Sequence, residues 1–324
     1  MIEKVTIGGI SQYILIQTEK PGSPILLFLH GGPSMPIPGV SSRNLDYILF
    51  TNTKQLVKHY TLVYWDQRAT GKTYSKTTPV ESVRLEQYIE DAHELTAYLL
   101  ERYNQPQLHL IGYSWGTVIG LSLIQRYSQL YYSYIAFAQI IDWVENDKLC
   151  YEWLFRESNQ KKDRKTLKQL KQISEPPYRN GLKEWGALRR LLLRYNSMIH
   201  KADRNSPTAF WGIKMMFKSK DYSILDIYNS LYRGFLLSFN ENMIKDINTL
   251  SFFRIEPKVD IPILFIHGRE DKHVWPAPVL HYFDLLNAPQ GKTFLWSEKS
   301  SHIFHPDDAR TNEQRILQFL DEIQ

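Results

Sequence analysis

The stretch HLIGYSWGTVIGL, from His109 to Leu121, sets one serine between two glycines, each two residues away. The run LHLIG has the length and apolar character of a buried strand, and the chain from Trp115 onward reads as a helix. Ser114 therefore falls at a strand-to-helix corner, where a tight turn lifts its Oγ above the sheet edge. Gly112 and Gly116 leave room for that turn. The helix also points its positive N-terminal end at the serine, which favours negative charge developing there. The plain alternative is a small structural serine in a corner. A pattern as short as G-x-S-x-G arises by chance, so the rest of the chain has to decide.

Working outward, PILLFLHGG, YTLVYWDQR and YIAFAQII are further short apolar runs rich in β-branched and aromatic residues. Between the second of these and the serine strand lies LEQYIEDAHELTAYLLERYN, whose Ile89, Ala92, Leu95 and Leu99 share one helical face. Strand–helix–strand alternation predicts a mostly parallel sheet flanked by helices. The rhythm changes near Asp142. From there to Leu250 the patterns are helical, as in KEWGALRRLLLRYN, where Trp185, Leu188, Leu192 and Tyr195 lie on one face. Strands then resume with IPILFIHGRED and KTFLWSE, separated by the helix-like APVLHYFDLLN and followed by the amphipathic NEQRILQFLDEIQ. The expected class is α/β, with a core made of residues 1–141 and 251–324 and an inserted helical cap over 142–250.

A nucleophilic serine needs a base, and the base needs an orienting acid. Asp271 stands just beyond the strand ILFIHG, and His302 just beyond KTFLWSE, so both belong to the same sheet edge as Ser114. Glu270 competes with Asp271 for the acid, and His305 with His302 for the base. His305 precedes Pro306 and two acids, the pattern of a helix start, and reads as an exposed residue there. His267 and His273 flank the acid loop and read as supports. The glycine turn in FLHGGPSMP completes the set, with the backbone N–H groups of Gly32 and Trp115 as the expected oxyanion donors.

Composition bounds the alternatives. Apolar residues make up 43% of the 324, which excludes a disordered chain. No run of eighteen apolar residues occurs, so no membrane span is expected. The start, MIEKVTIGGISQYILIQTEKPG, alternates like a hairpin and lacks the continuous apolar stretch of a signal peptide. Cys150 is the only cysteine, so no internal disulfide is available and a cytoplasmic location is expected. Much of the basic charge behind the net +5 sits in QKKDRKTLKQLKQ, where Leu167, Leu170 and Ile173 keep helical spacing. That reads as a solvated helix face, with no nucleic-acid or membrane partner. ATGKT lacks the first glycine of a phosphate loop, because Asp66 stands there. Neither H-E-x-x-H nor paired cysteines occur, so no metal or other cofactor is expected.

Taken together, HGGP at His30–Pro33, WDQR at Trp65–Arg68, GYSWGT at Gly112–Thr117 and HGRED at His267–Asp271 resemble the proline iminopeptidase family of α/β-hydrolases. SHIFHPDD fits that family's histidine loop. The likeness covers roughly residues 20–140 and 255–324. It implies Ser114, Asp271 and His302 as a triad, Gly32 and Trp115 as the oxyanion hole, and Asp66 and Arg68 as structural ties. Two departures stand out in the loops: Ser34 and Ala69 occupy positions where the family has glycine. The family's cap glutamates, which hold a substrate's free amino group, have no matching motif. Glu145 and Glu241 are the acids offered in their place.

The leading expectation is a serine hydrolase working through an acyl-enzyme. It would release N-terminal residues from small peptides or arylamides, and its partner would be a small-molecule or short-peptide substrate. An esterase or small-amide hydrolase is the second reading, and a non-catalytic ligand-binding relative the third.

Overall fold

The computed structural model describes residues 1–36, 49–178, 182–208 and 211–323. The apolar runs form one sheet of eight strands: β1 (Ile2–Ile7), β2 (Ile10–Gln17), β3 (Ile25–Leu29), β4 (Thr61–Asp66), β5 (Leu108–Tyr113), β6 (Tyr131–Phe137), β7 (Ile263–Gly268) and β8 (Lys292–Ser297). Their order is β1-β2-β4-β3-β5-β6-β7-β8. Gly8 and Gly9 turn the N-terminal hairpin with positive φ, so that Ile7 faces Ile10. β2 joins β4 antiparallel, and every pairing from β4 to β8 is parallel. β3, β4, β5 and β7 are buried along their whole length, which is why they read as continuous apolar runs rather than alternating ones.

The core helices are α1 (Leu56–His59), α2 (Leu85–Tyr103), α3 (Trp115–Arg126), α11 (Pro276–Leu285) and α12 (Pro306–Glu322). Between β6 and β7 come α4 (Trp143–Gln160), α5 (Arg164–Ile173), α6 (Leu182–Arg194), α7 (Trp211–Lys218), α8 (Ile224–Tyr228), α9 (Gly234–Ser238) and α10 (Glu241–Thr249). The predicted face of α2 is the buried one: Ile89, Ala92, Leu95 and Leu99 are at most 1% exposed. The basic run divides between two helices, because the Asp163 carboxylate accepts the Thr166 N–H and caps α5. Its Leu170 and Ile173 are buried while Lys165, Lys168 and Lys171 are exposed, as a solvated face requires. No helix among the described residues is long and apolar enough to cross a membrane.

The chain passes from β3 to β4 on one side and returns to β5 on the other side of β3. That reversal opens a crevice at the carboxyl ends of β3 and β5, where open α/β sheets place ligands. The glycine turn follows β3 and Ser114 follows β5.

Candidate active site

Ser114 holds φ 51° and ψ −117°, a conformation that costs a non-glycine residue free energy and persists only where its surroundings impose it. Here they do. Its N–H donates to Phe137 O at 2.9 Å, and its carbonyl accepts both the N–H (2.9 Å) and the Oγ1 hydroxyl (2.5 Å) of Thr117. Gly116 is required by close approach: a Cβ there would stand 2.1 Å from Leu29 O at the end of β3. The serine side chain is half-buried at the start of α3.

Asp271 and His302 are brought together. The His302 Nδ1–H donates to Asp271 Oδ2 at 2.9 Å, which leaves Nε2 free to accept a proton. Asp271 is wholly buried, and its other oxygen accepts the N–H groups of His273 (2.8 Å) and Val274 (2.9 Å). The competitor Glu270 is partly exposed and lies 3.5 Å from Lys272. Among the described residues the Ser114 hydroxyl donates no hydrogen bond to His302. What joins the two turns is Tyr113, whose OH donates to His302 O at 2.8 Å and whose ring stacks on the imidazole at 5.2 Å.

His305 differs from expectation. It does start a helix, its Nδ1 accepting the Asp307 N–H, but it is fully buried and its Nε2–H donates to Asp203 Oδ1 at 2.9 Å. The sequence could not show that a segment a hundred residues away would cover it. Beside it the Lys299 ammonium bridges Asp203 (3.4 Å) and Asp307 (2.8 Å). His267 and His273 are both held beside the Asp271–His302 pair. His267 Nε2–H donates to Val274 O at 2.9 Å, and its pKa is lowered by burial. The His273 ring lies 4.9 Å from that of His302, and burial holds its pKa well below the usual value.

The glycine turn lies over the serine: a Cβ on Gly31 would stand 3.3 Å from Ser114 Cβ. Gly32 has φ 124°, a region side chains rarely adopt. The His30 Nδ1–H donates to Gly31 O at 2.7 Å, and its Nε2 accepts the Gln67 N–H at 3.3 Å, so the ring is neutral. Burial pushes its pKa down to about 3. Gln67 also donates to His30 O (3.0 Å) and accepts the Trp115 indole N–H (3.0 Å), tying three loops together. The Trp115 backbone N–H is the first of α3 and has no acceptor within the helix. Of the two departures from the family pattern, Ala69 does take a positive φ, 65°, whereas Ser34 does not.

Asp66 and Arg68, which the family likeness casts as structural ties, are both buried. Arg68 forms a two-pronged pair with Asp91 at 2.8 Å, both buried. Asp66 accepts the Lys72 N–H and the Tyr222 hydroxyl. Of the acids in the insertion, Glu145 and Glu241 are both exposed, in the first turns of α4 and α10. One buried acid there is Asp147, paired with Arg189, and burial raises its pKa. Asp147 was legible only as one member of the face Trp143, Asn146, Asp147, Cys150, Leu154, which α4 turns inward. On that face Asn146 accepts the Trp275 N–H (2.8 Å) and donates to His273 O (3.1 Å), while Trp143 lies 6.2 Å from Trp115. The segment between β6 and β7 reaches the His302 loop as well, since Ser301 donates to Ser197 O at 3.0 Å and Ile303 N–H to Met198 O at 2.8 Å.

Residues 24–320 match the alpha/beta hydrolase fold family. The chain belongs to that family and is a hydrolase. Within it, the chain is 26% identical over 310 residues to a probable aminopeptidase, YbaC, of Bacillus subtilis, covering 95% of this chain and 92% of that one. Among solved structures it resembles the proline iminopeptidase of Mycobacterium smegmatis (TM-score 0.65, 17% identity, 100% of this chain and 98% of that one). It is equally similar to a proline iminopeptidase-related protein of Thermus thermophilus (TM-score 0.65, 16% identity, 100% and 99%).

Proposed function

We propose that the protein is a serine hydrolase acting through an acyl-enzyme, with Ser114 as nucleophile, His302 as base and Asp271 as the acid that orients it. The observation that carries this reading is the buried Asp271–His302 hydrogen bond of 2.9 Å, held by Tyr113 against the strained turn that presents Ser114. Ser114 Oγ attacks a carbonyl while His302 Nε2 takes its proton. The same nitrogen returns the proton to the leaving group, and water repeats the cycle on the ester. The backbone N–H groups of Gly32 and Trp115 receive the oxyanion, where preorganised donors in a dry site stabilise the transition state most. In this reading residues 142–250 form a cap that closes over a small-molecule or short-peptide substrate. The single buried cysteine suits a reducing compartment, and we place the protein in the cytoplasm.

Ser114→Ala is expected to abolish both hydrolysis and labelling by a fluorophosphonate, while His302→Ala keeps the fold and loses about 10³-fold or more in kcat. Undiminished turnover by folded Ser114→Ala would overturn the assignment.

For the substrate, the likeness to aminopeptidases supports release of an N-terminal residue. The exposure of Glu145 and Glu241 supports an ester or small amide instead, because neither acid is placed to receive a buried ammonium group. An aminoacyl arylamide and its N-acetylated form separate the two. Acetylation stops an aminopeptidase and leaves an esterase or amidase indifferent.

A further inference from the structure

From Ile224 to Ser238 the chain is helical throughout: α8, a π-helical turn over Asn229–Arg233, then α9. A surface helix ordinarily buries its large apolar stripe and shows water its polar one. This one is inverted. Phe235 and Leu237 are partly buried against the core, and the fully buried positions of the segment are Ile227, Asn229, Ser230, Gly234 and Ser238. These are mostly small because the backbone runs close to the core: a Cβ on Gly234 would stand 2.4 Å from Ala69 O. Its outer side carries Leu225, Tyr228, Tyr232 and Leu236, which are 57, 44, 54 and 46% exposed. Steps of three, four and four residues set them in one stripe, and Tyr228 and Tyr232 stack with ring centres 5.4 Å apart. Ile224 extends the stripe at one end, and Phe217 stands exposed on α7 between Lys214 and Lys218.

Within residues 214–238 the exposed charges are all basic. Lys214, Lys218 and Lys220 are exposed, and the Arg233 guanidinium lies over the Tyr228 ring at 5.0 Å. The two acids of the segment are withdrawn: Asp221 is buried, and Asp226 pairs with Lys72 at 2.8 Å. We propose that this face docks on an anionic lipid surface. Its apolar and tyrosine side chains would enter the interface while the lysines and Arg233 meet headgroup phosphates. A second copy of the chain would press one basic rim against another, whereas an anionic surface neutralises it. The contact is peripheral, and it departs from the sequence-based expectation of no membrane partner.

The test is sedimentation of the full chain with vesicles of phosphatidylglycerol and phosphatidylcholine, compared with phosphatidylcholine alone. Binding is expected to the first, weakening as salt is raised, and little to the second. The triple variant Leu225→Ser, Tyr228→Ser, Tyr232→Ser should lose about tenfold or more in vesicle affinity with its melting temperature preserved. Lys218→Glu with Lys220→Glu, which leaves the apolar stripe intact, should lose a similar factor on anionic vesicles. Equal sedimentation with both vesicle types, or with neither, would overturn the proposal. So would a wild-type dimer in light scattering that the triple substitution disperses, since the face would then be a contact between copies.

Discussion

At residue scale, two of the side chains held at positive φ, Ser114 and Ala69, differ in consequence. Ser114 at φ 51° is fixed by Phe137, Thr117 and the close approach of β3 to α3, and in the proposed mechanism its strain is what raises the hydroxyl. Ala69 at φ 65° sits where glycine would do, and its methyl costs roughly 1–2 kcal/mol of backbone free energy. Ala69→Gly therefore removes strain while it loses a buried methyl and loosens the unfolded chain. Those effects nearly cancel, so the expected change in stability is under about 1 kcal/mol. Ala92→Gly, in the middle of α2 and equally buried, has no strain to relieve and should cost clearly more, about 1 kcal/mol from helix propensity alone. Urea unfolding of both variants checks this, and equal losses would show that Ala69 is not strained.

Between elements, the loop after β4 meets the start of α8 through a set of buried polar groups. Asp66 accepts from Tyr222 and from the Lys72 N–H, and the Lys72 ammonium pairs with Asp226 at the capping box of α8. Desolvation pushes the Asp66 carboxyl from its ordinary 3.8 up to about 7, against the hydrogen bonds from Tyr222 and Lys72. Between those two values the folded protein holds a proton that the unfolded chain has released. The contribution to stability is therefore complete below about pH 4 and is lost as pH rises through 7. Asp66→Asn, which cannot ionise, should remove this slope. From pH 4 to 8 the melting temperature of the wild type should fall relative to the variant, by the equivalent of a few kcal/mol. Parallel curves for the two proteins would refute it.

At the scale of the whole molecule the segment between β6 and β7 is hydrogen-bonded to the loops that carry Asp271 and His302. Cys150 marks that junction: its thiol is fully buried and directed at the carbonyls of Lys272 and His273, and burial pushes its pKa far up. Thiolate reagents should leave the folded protein unmodified and react only as it unfolds. The labelling rate should therefore follow global unfolding through a denaturant titration. Fast labelling under native conditions would show instead that α4 lifts from the acid loop on its own.

Much of this was legible. The strands announced themselves because full burial on a parallel sheet demands continuous apolar runs, and α2 because its periodic face is the buried one. Chain order singles out Ser114, Asp271, His302 and the glycine turn, since each follows a strand and every such strand ends at one sheet edge, and the fold brings Asp271 and His302 together. His305, Asp147 and Tyr113 were not legible in the same way. Their burial and partners come from segments far away in the chain, as Asp203 reaches His305 and Tyr113 reaches His302. The stripe Leu225–Leu236 shows the limit most plainly. Its spacing is written in the sequence, and the usual rule would turn it inward. Only the close approach of Gly234 to Ala69 decides that the small side faces the core and the apolar side faces out. The sequence by itself determined the local periods and the order of chemical groups, because these depend on neighbours along the chain. Tertiary packing decided which face is covered and which histidine meets an acid, because a side chain's exposure is set by whatever the fold lays across it.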